Sequence, residues 1–266
     1  MTASHPALTT ILEVVERLQE APYRTNAVLL GEPGTGKEGL ARALHHLMGG
    51  SSNAEAPLVR LDVAGFTDED ALAALIGRDG RAGAAQRADG GTLLVEEVAG
   101  LGPRTQAALL RLLKSGHVDK TAGKPGEYHR VRVNAIAMSD GDLMGEVREG
   151  RFRHDLYWRL ARLVLTLPPL RERPDDLGPS AVWMGNRILR AAGLPGELVL
   201  TTDLGRLEPE EAERAVELTD GAIRALAGHD WPGNFRELEA VLERALLLHR
   251  KGRALTADAV LRARGV

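Results

Sequence analysis

An apolar run, Ala27-Val28-Leu29-Leu30, breaks into Gly31-Glu32-Pro33-Gly34-Thr35-Gly36-Lys37-Glu38 and then into the helix-like Gly39-Leu40-Ala41-Arg42-Ala43-Leu44. Strand, glycine-rich turn and helix, in that order, are the context of a phosphate-binding loop. Glycines let the backbone curl so that consecutive N–H groups face phosphate oxygens. The helix that follows offers the positive end of its dipole, and Lys37 adds a point charge for the outer phosphates. A plain glycine turn closing a strand is the competing reading, and the flanks on both sides disfavour it. The usual pattern has Ser or Thr after the lysine as a magnesium ligand. Glu38 stands there, so a metal contact has to come from elsewhere.

Short β-prone runs alternate with helical patterns through the first two thirds of the chain. Strands are expected at Ala27–Leu30, Leu58–Val63, Thr92–Glu96, Val131–Met138 and Leu163–Leu167, and helices over Gly39–Leu47, Asp68–Leu75 and Arg104–Leu113. Thr67 with Asp70 resembles a capping box, and Pro103 fits a first helical turn. Strands separated by helices give an α/β class, a parallel five-stranded sheet between helices. From about Leu170 the β signal stops. Ala181–Ala192, Pro209–Leu218, Gly221–Ala227 and Phe235–Leu248 read as helices only. Charge and proline interrupt the pattern at Arg171-Glu172-Arg173-Pro174, dividing an α/β nucleotide-binding core, 1–171, from a smaller all-α domain, 172–266.

Composition narrows the functional classes. Hydrophobic residues make up 44% but aromatics only 3%, so the core is aliphatic. A formal charge of -3 gives no electrostatic reason for nonspecific nucleic-acid binding. With no cysteine, thiolate metal sites, disulfides and cysteine nucleophiles are excluded. His45 and His46 are adjacent, so they point to different faces of a helix and do not suggest a zinc site. No apolar run reaches membrane-spanning length and no signal-peptide order opens the chain, so a cytoplasmic location without a membrane partner is expected.

Gly91-Thr92-Leu93-Leu94-Val95-Glu96-Glu97 is an apolar run ending in two carboxylates. It suits a strand buried on both faces, and ligands of parallel sheets gather at the carboxyl ends of strands. There one acid can hold magnesium while the next orients water against a terminal phosphate. An ordinary strand ending in a polar turn is the bland alternative, weakened by the glycine loop upstream.

With these residues in place, the chain resembles the central ATPase domain of bacterial enhancer-binding proteins, the AAA+ activators of sigma-54 RNA polymerase. Gly31–Glu38 is similar to their glycine loop, which also has Glu after the lysine, and Ala88-Asp89-Gly90-Gly91-Thr92-Leu93 to the lead into their acidic strand. Gly150-Arg151-Phe152-Arg153-His154-Asp155-Leu156-Tyr157-Trp158-Arg159-Leu160 resembles their arginine-finger helix. Leu167-Pro168-Pro169-Leu170-Arg171-Glu172-Arg173 resembles the segment joining core to lid. Trp231-Pro232-Gly233-Asn234-Phe235-Arg236-Glu237-Leu238-Glu239 resembles the sensor motif of the lid.

The resemblance implies ATP and Mg2+ as ligands, with Gly31, Glu32, Pro33, Gly34, Thr35, Gly36, Lys37 and Glu38 around the phosphates. Glu96 would hold magnesium, Glu97 would activate water, and Arg236 would reach the nucleotide of its own subunit. Arg153 and Arg159 would act on a neighbour's nucleotide in trans, which implies a ring-type or other head-to-tail homo-oligomer. A simpler reading of Asp155 and Arg159 is a helix ion pair four residues apart. Six arginines lie between Arg151 and Arg173, but without stacking aromatics they do not suggest a nucleic-acid groove.

Four departures from the family pattern bear on function. The GAFTGA loop that grips sigma-54 belongs between Leu75-Ile76-Gly77 and Arg81-Ala82-Gly83, where only Arg78-Asp79-Gly80 stands. The Asp-Glu pair is Glu96-Glu97, whose extra methylene moves the metal-binding carboxylate by about 1.5 Å. A shift of that size costs on the order of a hundredfold in rate. Asp62 replaces the asparagine that pairs with the catalytic glutamate; ionised beside Glu97, it would raise one of the two pKa values. The Thr-Asn first sensor appears as Ala137-Met138; Met138 offers no donor for the terminal phosphate, and Ser139 and Asp140, following in a slightly longer loop, are the candidates to substitute. Few residues follow the lid motif before Val266, so no DNA-binding domain is expected in this chain. The functional expectation is an ATP-hydrolysing, oligomeric transcription regulator or protein remodeller whose client need not be sigma-54. A nucleotide-gated assembly scaffold with weak hydrolysis is the alternative.

Overall fold

A computed structural model describes residues 5–20, 25–49, 56–119, 128–208, 210, 214–248 and 254–265. The chain divides into two compact units. One takes Ala7–Glu32 and Gly36–Leu167; the other gathers Pro33–Thr35 and the chain from Pro168 onward.

The first unit is built on five parallel strands: β1 (Ala27–Leu30), β2 (Leu58–Asp62), β3 (Thr92–Glu96), β6 (Asn134–Ser139) and β7 (Leu163–Thr166). Their order across the sheet is β2-β3-β6-β1-β7. Side chains alternate faces along a strand, and both faces are apolar. Val28, Leu93, Val95, Ala135 and Ala137 enter one cluster with Leu75, Leu109, Phe152 and Leu156. Ala27, Leu29, Leu94, Ile136 and Met138 enter the other with Ile11, Leu44 and Met48. Fully burying one such aliphatic side chain is worth roughly 1.5–3 kcal/mol. Helices supply both layers: α1 (Pro6–Glu20), α2 (Lys37–Gly49), α3 (Asp68–Ile76), α4 (Ala84–Arg87), α5 (Pro103–Ser115), α6 (Leu143–Arg148) and α7 (His154–Leu160).

Local chemistry sets the helix starts. Thr67 caps α3 by accepting from the Asp70 backbone N–H at 3.2 Å, and its hydroxyl donates to the Asp70 carboxylate at 2.7 Å. Pro103 opens α5. The expected strand at Val131–Met138 starts later and ends later, at Asn134–Ser139. Val131 is drawn off, its N–H donating to Gly116 at 2.8 Å beyond an antiparallel hairpin that sequence reading missed, β4 (His117–Asp119) with β5 (Tyr128–Arg130).

The second unit is mainly helical: α8 (Leu177–Ala191), α9 (Thr201–Leu204), α10 (Asp220–Ala227), α11 (Asn234–Leu248) and α12 (Ala257–Arg264). The expectation of helices only after Leu170 is corrected by a small parallel sheet of β8 (Glu197–Leu200), β9 (Ala215–Leu218) and β10 (Ala254–Leu255), in the order β10-β9-β8. Of the helix expected over Pro209–Leu218, residues 215–218 form β9, while 209 and 211–213 lie outside the described residues. Leu, Ala and Glu favour helix on intrinsic grounds; tertiary contacts override them here. Leu198 and Leu218 are fully buried. Asn186 of α8 clamps β8 in place, accepting from the Leu198 N–H at 2.6 Å and donating to its carbonyl at 3.0 Å.

Candidate functional site

The carboxyl ends of β1, β2, β3 and β6 come level, because Leu30 pairs with Ser139 and Asp62 with Glu96. Lys37 is the first residue of α2, and its side chain is only 8% exposed. Its ammonium donates to the Gly31 carbonyl at 2.5 Å and the Glu32 carbonyl at 3.0 Å, and it also pairs with the Asp140 carboxylate. The lysine is thereby folded back against its own loop.

Glu97 follows the end of β3 with φ of 51°, a left-handed conformation that a non-glycine residue adopts at a cost of about 1 kcal/mol or more. The next residues, Val98–Gly100, form a single 3-10 turn. Burial raises the pKa of Glu97 above the usual glutamate value; a hydrogen bond to Asp140 and the charge of Asp140 add to this. Lys37 opposes the shift, and Asp62 adds a minor push. The repulsion expected from Asp62 is therefore present but secondary. Asp62 itself accepts from the Ala64 N–H at 3.0 Å.

Glu96 and Glu38 meet a cation that the sequence did not single out. Arg60 of β2 pairs with Glu96, with one N–H···O contact at 2.9 Å, and lies 3.6 Å from Glu38. Arg42 ties Glu38 along α2 at 2.8 Å. The first-sensor position is split between core and strand tip. Met138 lies inside β6 as a core residue, 5% exposed. The polar residues at the strand tip are Ser139, its last residue, and Asp140, which reaches Lys37.

In the second unit the loop tip and the lid motif are laced together. Three successive carbonyls accept from three different groups. The Asn234 side-chain amide donates to Pro33 at 3.0 Å, the Phe235 N–H to Gly34 at 3.0 Å, and the Arg173 guanidinium to Thr35 at 2.8 Å. Arg173 is 5% exposed and lies 4.6 Å from the Phe235 ring centroid. Gly34 has φ of +77°, and a Cβ there would stand 2.4 Å from the Gly233 carbonyl and 3.3 Å from Arg236 Cγ. Arg236 is exposed, and among the described residues its guanidinium has no ion pair. Trp231 and Asn234 both take left-handed φ, near 50°. Asn234 is fully buried and also accepts from the Leu170 N–H at 2.7 Å. The motif is thus a built turn as well as a carrier for Arg236.

The two arginines of the α7 segment are held differently. Arg153 caps α7 and pairs with Asp155 at 3.0 and 3.1 Å, its side chain 48% exposed. Arg159 donates twice to the Leu113 carbonyl, at 2.9 and 3.1 Å. The alternative Asp155–Arg159 helix pair is not what the structure shows, because Asp155 pairs with Arg153. Gln106, fully buried on α5, brackets the segment by donating to Leu101 and Arg151 and accepting from the Arg153 N–H at 2.8 Å. Among the described residues no group of three or more His, Cys, Asp or Glu is placed to hold a metal, and no helix is long and apolar enough to cross a membrane.

The sheet order, the glycine loop running into a lysine-led helix and the acidic pair at the tip of β3, one strand removed from β1, define a P-loop nucleoside-triphosphatase fold of the AAA+ kind, with a helical lid. The chain belongs to the sigma-54 interaction domain family. The model of that domain matches residues 1–166, and the model described as AAA+ ATPase lid domain matches residues 198–263. The Nif-specific regulatory protein of Azotobacter vinelandii is 34% identical over 270 residues, covering 98% of this chain and 46% of that protein. The transcriptional regulatory protein XylR of Pseudomonas putida is 33% identical over 264 residues, covering 96% of this chain and 42% of its own. The chain thus spans less than half the length of these relatives. The crystal structure of NtrX from Brucella abortus in complex with ATP superposes with a TM-score of 0.79 at 29% identity, over 97% of this chain and 53% of NtrX.

Proposed function

We propose that this chain is an ATP-binding, ATP-hydrolysing motor domain of an oligomeric transcription regulator or protein remodeller. The observation that carries the reading is Lys37, buried at the first turn of α2 and within reach of the same acidic group as Glu97. A lysine so placed serves outer phosphates. A carboxylate beside it serves as base, taking the proton from water as the water oxygen bonds to the terminal phosphorus and ADP leaves with the bridging oxygen. Glu97 is that base, Asp62 a secondary influence on it, and Gly31–Glu38 the phosphate cradle. Arg236 is assigned the contact with the nucleotide of its own subunit, as the resemblance of its motif implies.

Magnesium fits the donor set in kind: one carboxylate from Glu96, with phosphate oxygens supplying most other ligands, as that ion prefers. Glu96 would hold it after releasing Arg60. The ion would neutralise charge developing on the phosphate oxygens.

Arg153 supports a site completed in trans, since it is exposed at a helix cap and its pairing with Asp155 is a local one. Arg159 is the weaker finger, being tied to Leu113. A finger supplied in trans implies a ring-type or other head-to-tail homo-oligomer. The chain that follows α3 supports a client contact other than the usual one to sigma-54. That helix stops at Ile76, and Asp79 and Gly80 turn Arg78 straight back onto Arg81 before α4 begins. This tight connection supports the reading that a GAFTGA contact loop is missing and that the client is engaged elsewhere or is not sigma-54.

A second reading, a nucleotide-gated scaffold with slow turnover, is favoured by the pairing of Lys37 with Asp140 and of Glu96 with Arg60. Steady-state hydrolysis of ATP separates the two. The motor reading requires turnover that disappears in Lys37→Ala and rises with protein concentration. Tight ATP binding without turnover at any concentration leaves the scaffold.

A further inference from the structure

We propose that Asp140 sets the nucleotide preference of this site, favouring a nucleoside diphosphate over the triphosphate by competing with the terminal phosphate for Lys37. The proposal rests on the reading of Lys37 as the phosphate-binding lysine.

An ammonium has three protons to donate, and Lys37 places all of them on protein oxygens: Gly31, Glu32 and Asp140. Two of these acceptors are neutral carbonyls of the loop itself. The third is an anion on a different element, one residue past β6, and it is the acceptor a phosphate oxygen must replace. The Asp140 position is fixed locally. Ser139 is 1% exposed and its hydroxyl accepts from the Gly141 N–H at 3.3 Å, which turns the chain directly after the strand. Asp140 is also the hydrogen-bond partner of Glu97, so one side chain holds both the lysine and the base.

A triphosphate brings one more charged group than a diphosphate, at the far end of the chain of phosphates. Once Lys37 turns to it, Asp140 has lost its ammonium partner and faces an added phosphate charge, and like charges at close range repel. A diphosphate lacks the terminal phosphate that would face Asp140, so the repulsion it meets is smaller even though the P-loop lysine also reaches a β-phosphate. An amide at position 140 would remove the repulsion and offer a donor instead.

The experiment is a calorimetric titration of MgADP and MgATP into the full chain and into Asp140→Asn. ATP affinity should rise about tenfold in the variant, with ADP affinity changing less than about threefold, a relative shift of roughly 0.7–2 kcal/mol. Asp140→Ala, which removes the charge without adding a donor, should shift the ratio in the same direction and stands in if Asp140→Asn does not fold. Binding of both nucleotides with an unchanged ATP-to-ADP ratio, or a weaker ATP affinity in both variants, overturns the role of Asp140 alone. No binding of either nucleotide to any of the proteins overturns this role together with the phosphate-loop reading beneath it.

Discussion

Lys37 and Gly34 show how much a single position decides here. Lys37→Ala removes the charge at the head of α2 and should reduce ATP affinity by at least about tenfold, while leaving the fold intact; calorimetry and circular dichroism check the two halves. Gly34→Ala fails for a different reason. Its φ is left-handed and its new Cβ would lie 2.4 Å from the Gly233 carbonyl, so the variant should lose about 2 kcal/mol or more of lid stability. Glu97 gives a pH signature. Its pKa is raised, chiefly by burial and then by Asp140, so the base stays protonated further up the pH scale than an ordinary glutamate. Hydrolysis should therefore rise with pH along a limb lying above the usual carboxylate range, and Asp140→Asn should move that limb down. A rate independent of pH from 4 to 8 would show that Glu97 is not the base. The lysine, the glycine loop and the acidic pair were legible in the sequence because backbone curvature and charge leave fixed spacings. The pairing of Asp140 with Lys37 and the roles of Arg60, Arg173 and Gln106 were not, since each acts through a partner distant in sequence.

At the scale of elements, caps and brackets hold the site in register. Asp68, at the start of α3, accepts from the Arg104 and Thr105 N–H groups at 3.0 Å each and from the Thr105 hydroxyl at 2.7 Å, capping α5 from a neighbouring helix. Burial alone would raise its pKa, but these hydrogen bonds and the Arg104 charge bring it below the aspartate value of 3.8. A depressed pKa means stability present above the unfolded value and lost as pH falls through the folded one. Asp68→Ala should cost about 1 kcal/mol at neutral pH, the usual scale of a lost cap, and the gap from wild type should close in acid. Asn234→Ala strands the Leu170 N–H and the Pro33 carbonyl at once, and should cost about 2–3 kcal/mol; denaturant unfolding measures both variants. Period and capping signals revealed the five core strands and the helices α2, α3, α5, α8, α10 and α11. The lid sheet escaped them because β8 and β9 are written in Leu, Val, Ala and Glu, and only the Asn186 clamp and the burial of Leu198 and Leu218 make them strands.

At the scale of the whole molecule, the proposed site is finished by a second copy of the chain. Arg153 is exposed on α7, while Lys37 lies buried beside Asp140 and Glu97 in the same unit. A shared site makes hydrolysis a property of assembled protein, and the most direct measurement is a mixture of two disabled forms. Lys37→Ala keeps Arg153, and Arg153→Ala keeps Lys37; each alone should be inactive. Mixed one to one, random assembly pairs an intact lysine with an intact arginine at about a quarter of the interfaces. Steady-state ATP hydrolysis should return to about that fraction of the wild-type rate. A mixture as silent as its parents, beside an active wild type, would contradict a site completed in trans.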